Sequence, residues 1–354
     1  DRTHTMGVTL PDDFCSYCHQ DIAEDRPSHK DMAFDTCAAA GCHNFHDNKA
    51  LYEDFLVKHG NGKKLTKNPS IITRNFVDHY RKQNKDIQPL SIKDAKFPES
   101  KNVDDSILTQ WEQTAHAKIA VNCVDCHQIK TASNISGTWQ DKPSMESCKQ
   151  CHELELETYQ LGKHGMRMLQ NLSPLEASTA RLPMKKDIKD SQHDCMSCHG
   201  SHDFNTKKAA VDACLSCHED EHSKAYKSSP HYQLWQEAAS GRIAKDAGVS
   251  CATCHLPRLT VKHKGERRTL VQHNQNHNLR PNEKMIRDVC LSCHGLGFSI
   301  DSLADPALIT NNFNGIPKQN IPSIAMAVKR EKEKAAEKLK KSGNKSGKES
   351  KSDN

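Results

Sequence analysis

Aromatic side chains make up only 5% of the 354 residues and hydrophobic ones 35%, and the mean hydropathy is −0.80. A chain of this length would ordinarily form two or three domains, yet so little apolar side-chain area leaves the entropy of ordering the backbone poorly offset. Any run of about 18 apolar residues is also missing, which argues against a membrane-spanning helix. Charge of one sign is lacking too: 50 Lys and Arg stand against 45 Asp and Glu, a formal +5. No cysteine-containing segment concentrates that charge, so nucleic acid is not an expected partner. The numbering begins at Asp1 with neither an initiator Met nor a signal segment, so a mature, processed chain is expected.

Cysteine and histidine, by contrast, are abundant, at 16 and 22 residues. All the cysteines fall into pairs followed at once by histidine: Cys15, Cys18 and His19; Cys37, Cys42 and His43; Cys123, Cys126 and His127; Cys148, Cys151 and His152; Cys195, Cys198 and His199; Cys214, Cys217 and His218; Cys251, Cys254 and His255; Cys290, Cys293 and His294. Seven read Cys-x-x-Cys-His, and the second has four intervening residues instead of two. Two thiols that add to the two vinyl groups of one porphyrin, with the next imidazole reaching the iron as proximal ligand, need this grammar. Structural zinc needs four ligands per metal and gives no reason for a histidine after every pair. A disulfide closing so short a loop would constrain almost nothing.

Eight covalently attached haem c groups are therefore expected, held by the sixteen cysteines and ligated by the eight motif histidines. Flat porphyrins would supply the apolar volume that the side chains lack. Their propionates and ferric centres would bring the holoprotein to a net charge of about −3.

The histidines outside the motifs are the expected source of a sixth ligand. His46 and His202 lie three residues after a proximal histidine, too near to reach across the same porphyrin but able to ligate a neighbouring one. His116 ends an amphipathic helical stretch that starts at a capping region near Asp104 and passes through Ile107, Leu108 and Trp111. His164, in Tyr-Gln-Leu-Gly-Lys-His-Gly, and His231, in Ser-Pro-His-Tyr, each follow a short helical run leaving a proximal histidine, and His59 repeats Lys-His-Gly. His29 and His273 complete the candidate distal set, with Met32, His277 or a water as substitutes. No motif reads Cys-x-x-Cys-Lys.

The first and second, third and fourth, and fifth and sixth motifs are close neighbours in sequence, which suggests dihaem packing units joined by helices and loops. The expected fold class is mainly α with extensive irregular chain and few or no β-strands, a haem-packed octahaem cytochrome c. An N-terminal dihaem module is expected over 1–59 and a motif-free surface excursion over 60–103, with one helix around Ile71 to Lys82. A hexahaem core is expected over 104–315, then a Lys-rich helix and disordered tail over 323–354.

From about Trp111 to Asp305 the chain resembles the octahaem hydroxylamine oxidoreductase family. The likeness rests on Trp-Glu-Gln-Thr-Ala-His before a motif, His-Asp-Phe after another, Glu-His…Tyr…His after the sixth, Gly-Lys-His-Gly near His164, and His273-Asn274 between the last two motifs. It implies distal-ligand roles for the segments around His164 and His273, and acid–base roles at Glu221 and His222 if the protein is an enzyme. Three departures stand beside it. The tyrosines end at Tyr232, so the family's cross-linking tyrosine is missing; the motif of its catalytic haem, just ahead of Cys195, is absent; and an N-terminal motif and the stretched one at Cys37 are added.

Two functions follow from these readings. The first is electron transfer in an anaerobic or nitrogen/sulfur respiratory chain, through closely packed bis-His haems, between redox partner proteins such as a quinol-linked donor and a terminal reductase or other acceptor. The alternative is a terminal oxidoreductase of nitrite, hydroxylamine or tetrathionate at one open haem. Haem attachment implies a periplasmic or extracellular location, and homo-oligomers are compatible with either reading.

Overall fold

The computed structural model describes residues 51–349 apart from 74–75, 132–133, 170–171, 173–176, 178–179, 181, 187, 189–192 and 280–281. It is about 51% helical, with two small antiparallel strand pairs, in keeping with a mainly α chain with few strands. No described helix is long and apolar enough to cross a membrane. The first two motifs, with Cys15, Cys18, His19, Cys37, Cys42 and His43, and the candidate ligands His29 and His46 lie outside the described residues.

In chain order, the elements that matter for the site are α1 (Glu53–His59), α2 (Phe76–Gln83), α3 (Asp105–Glu112), α4 (Ala115–Lys118), β1 (Gln128–Thr131), β2 (Asn134–Trp139), α5 (Met145–Gln160), β3 (Arg258–His263), β4 (Glu266–Val271) and α6 (Ser323–Glu349). The described chain divides into two compact units. Unit 1 holds 51–70, 228–230 and 278–349, and unit 2 holds 71–227 and 231–277. The boundary runs through the 104–315 stretch and assigns the eighth motif to unit 1.

Backbone pairing explains that assignment. Leu65 and His294 form an antiparallel bridge, and the Thr66 and Ser70 amides donate to the carbonyls of Cys293 and Ser292 at 2.9 and 3.2 Å. Around them unit 1 has an aliphatic core of Leu51, Leu56, Ile286, Leu296 and Ile300, each no more than 1% exposed. Helix α6 enters this core through Ser323 and Ala327, and Glu53 of α1 pairs with its Arg330 at 2.8 Å and Lys334 at 2.5 Å. From Glu331 to Lys341 its side chains are exposed.

In unit 2 the helix expected around Ile71 to Lys82 forms as α2, and Arg81 donates to Lys118 O at 3.0 Å. Asp104 caps α3 by accepting from Ser106 N at 2.7 Å. Thr114 caps α4, where its Oγ1 accepts from Ala117 N at 3.2 Å. Strands β3 and β4 pair in register from Arg258↔Val271 to His263↔Glu266. Their two-residue turn puts Lys264 and Gly265 at φ 48° and 86°, the left-handed pair that suits a tight hairpin.

Candidate functional site

Three motifs begin in the same way. Cys123–His127, Cys195–His199 and Cys251–His255 are short helices capped by the residue just ahead of the first cysteine, Asn122, Asp194 and Ser250. Ser197 N donates to Asp194 Oδ1 at 3.0 Å, Thr253 N to Ser250 Oγ at 3.1 Å, and Asn122 N to Asp125 Oδ2 at 2.7 Å. A capping box thus fixes the single turn that carries both thiols and the imidazole. The fourth motif lies inside α5, whose helical geometry breaks at His152 itself, with φ −111° and ψ 39°.

Each motif histidine of unit 2 faces one histidine from outside the motifs. Ring centroids are 6.0 Å apart for His127 and His202, 6.1 Å for His152 and His116, 6.3 Å for His199 and His273, 6.2 Å for His218 and His164, and 6.0 Å for His255 and His222. Two imidazoles bound trans to one metal at about 2 Å each have centroids about 6 Å apart. All five spacings therefore fit a metal between the rings. The angles between ring planes, in the same order, are 11°, 84°, 44°, 63° and 87°.

Local structure accounts for these positions. After His199 the chain turns through Gly200, His202 and Phe204, all at positive φ, and closes when Asn205 N donates to His199 O at 2.7 Å. A Cβ on Gly200 would lie 2.5 Å from Asp203 Oδ1, so the turn that aims His202 at His127 needs glycine there. His116 sits on α4 directly after the Thr114 cap. His164 lies in the turn that ends α5, where Gly165 packs so close to the Tyr159 carbonyl that no Cβ fits. His273 follows β4, with its amide donating to Thr158 Oγ1 at 3.1 Å. His222 rides on the helix Glu221–Ala225, capped by Asp220, which accepts from Ser223 N at 3.1 Å.

Three imidazoles are tied to backbone carbonyls through Nδ1. His127 Nδ1 lies 2.7 Å from Gln140 O, His273 Nδ1 2.7 Å from Val271 O, and His294 Nδ1 3.1 Å from Lys64 O. An Nδ1–H donated to a carbonyl leaves the Nε2 lone pair for a metal. Trp139 also stacks on the His127 ring, 4.7 Å between centroids and 10° between planes. Burial, reinforced by neighbouring imidazoles, pushes His116, His164, His199 and His255 down to about 4. They are neutral near pH 7, the form that binds metal. His116 Nδ1 is buried with no hydrogen-bond partner.

The twelve described cysteines are thiols rather than disulfides, and burial pushes Cys126 up to about 11. Cys254 of the seventh motif is half-buried. It lies within electrostatic reach of the Tyr226 hydroxyl, as does Cys251. Cys290 and Cys293 of the eighth motif are likewise half-buried, in unit 1. Among the described residues no group of three or more His, Cys, Asp or Glu could hold a metal ion. A metal at a histidine pair would complete its coordination from another source, as an iron porphyrin does.

Of the distal candidates, His116, His164, His202 and His273 are brought opposite motif histidines. His202 faces the third motif rather than its own, and His116 faces the fourth rather than the third, which directly follows it. The ring opposite His255 is His222, not His231, which is the second residue of the helix Pro230–Ala239. Glu221, grouped with His222 as an acid–base pair in the sequence, is exposed. The position of His222 had a signal, since it follows His218 by four residues much as His202 follows His199 by three. His59 packs against Phe55 in unit 1, with ring centroids 4.3 Å apart and planes tilted by 32°. His193 lies 5.6 Å from His164 as a further ring beside the sixth-motif pair.

Comparison of the chain with protein-family models, curated proteins and solved structures finds no match.

Proposed function

We propose that this protein is a multihaem c-type cytochrome that carries electrons between redox proteins outside the reducing cytosol. The observation that carries this reading is the set of five motif histidines in unit 2, each 6.0–6.3 Å from one histidine outside the motifs. In this reading the tethers of the haems are Cys123 with Cys126, Cys148 with Cys151, Cys195 with Cys198, Cys214 with Cys217, and Cys251 with Cys254. His127, His152, His199, His218 and His255 are proximal ligands, with His202, His116, His273, His164 and His222 opposite them. Haem bound in this way supplies reversible one-electron chemistry at iron. The chain would ligate it and shield it from water, and burial keeps the imidazoles of His116, His164, His199 and His255 neutral.

Two strong axial ligands on an iron leave no coordination position for substrate, which favours a carrier over a terminal oxidoreductase. His222 belongs to such a pair and Glu221 turns to solvent, so the acid–base pairing loses its geometric support. Mass spectrometry of the protein matured with haem, paired with EPR of its fully oxidised form, tests the proposal. The expected result is eight attached haems with low-spin signals from the unit 2 centres. No attached haem would refute it, and a high-spin signal from a unit 2 centre would turn attention to nitrite, hydroxylamine and tetrathionate turnover.

A further inference from the structure

The hairpin that follows the third motif folds back onto it. Strand β1 leaves directly from His127, and β2 returns antiparallel in a register that sets Trp139 opposite Gln128 and Thr138 opposite Ile129. The return needs Gly137, whose φ is 78° and where a Cβ would lie 2.5 Å from Gln128 Cγ. Just past the end of β2, Gln140 meets His127 twice. Its amide donates to His127 O at 2.7 Å, and its carbonyl lies 2.7 Å from His127 Nδ1, which donates to it when Nε2 holds a metal. Trp139, one residue earlier, lies flat on the same ring, with centroids 4.7 Å apart and planes 10° apart. The indole is itself tied down, because its Nε1 donates to Asp141 Oδ1 at 3.0 Å and Asp141 pairs with Lys101 at 2.6 Å.

A hydrogen bond at the edge of a ring and an indole on its face act in different directions. The first pins Nδ1 and the tautomer but leaves the ring free to rock about the line to the carbonyl; the second blocks that rocking. Across the site, His202 lies 11° from parallel with His127, the smallest angle of the five facing pairs in unit 2. One indole and two imidazoles thus share nearly one orientation.

We infer that Trp139 is a positioning residue for the third motif: it holds the plane of His127 near parallel with that of His202 and so sets the electronic axes of the iron between them. This rests on the cytochrome reading above. In a low-spin ferric centre the angle between the axial imidazole planes governs the splitting of the iron orbitals. Near-parallel planes give a rhombic EPR signal and near-perpendicular planes a large-g signal.

The test is EPR of the fully oxidised holoprotein carrying Trp139→Leu, once mass spectrometry has counted its haems. The haem count should stay the same while one rhombic centre is lost and replaced by a signal at larger g. Trp139→Phe, which keeps an aromatic face on the ring, should retain the rhombic signal, and equal loss in both variants overturns the role of the stack. A side chain that only filled space would lower the thermal transition and leave the g values alone, so unchanged g values in Trp139→Leu with every haem attached overturn the inference. Were that variant to lose the haem or fail to fold, a crystal structure of the unaltered holoprotein decides. An indole flat on an iron-bound His127, with His202 opposite and near parallel, upholds the inference, and an indole turned off the ring overturns it. Absence of attached haem from the unaltered protein would instead defeat the cytochrome reading itself.

Discussion

Unit 1 and unit 2 hold their interiors together by different means. Unit 1 closes around Leu51, Leu56, Ile286, Leu296 and Ile300, all essentially inaccessible to solvent. Unit 2 is the longer of the two, and its larger apolar side chains Leu108, Trp111, Ile119, Leu156, Tyr226 and Leu270 are buried less completely, at 3–8% exposure. Its motif histidines also lie 6.0–6.3 Å from histidines outside the motifs. Caps, a hairpin and glycine turns specify unit 2 locally, and in the reading proposed above bound haem would add to its apolar filling.

The strongest test of that contrast is to remove one tether pair. Replacing Cys195 and Cys198 together by Ser should cost one haem by mass and lower the unit 2 thermal transition by about 10 °C or more, because the space between His199 and His273 loses its filling. Unit 1 should lose stability to core truncation instead. Leu296→Ala should destabilise it by about 2–5 kcal/mol in denaturant titration while the haem count stays the same.

A subtler change sharpens the comparison within unit 2. His222→Ala should leave the number of attached haems unchanged, since the thioethers remain, and convert one low-spin centre to high-spin in EPR. Survival of every low-spin signal would show that His222 does not ligate. The smallest effect is expected at Glu53→Gln, which removes the ion pairs to Arg330 and Lys334 on a partly exposed face. Such pairs contribute about 1 kcal/mol or less, so the stability change should be slight, with faster amide exchange near α1.

Parts of this architecture were legible in the linear chain. The motif grammar marks the histidines that face others from outside the motifs in unit 2, and the capping pattern near Asp104 anticipates α3 and α4, of which α4 carries His116. Polar composition alone implied that side chains do not fill the interior. Other parts were not legible. His231 and His222 are similar in sequence terms, but only His222 lies on the short capped helix that faces His255. The 60–103 segment carries no motif and reads as surface chain, yet Leu65 and Thr66 pair with the backbone of the eighth motif. Leu90 and Lys96 likewise donate to Ala117 O and Asn122 Oδ1 beside the third motif, at 2.9 and 2.7 Å. Hydropathy gives no sign of such backbone pairing.

By itself, then, the sequence determined which histidines follow the cysteine pairs, where the caps and turns fall, and that the chain is mainly helical, because these depend on interactions among residues a few positions apart. Only the tertiary structure decided which histidine meets which. His199 and His273, like Lys64 and His294, lie far apart in the chain. Distant groups of this kind meet through loop closures and backbone hydrogen bonds, and no local pattern records them.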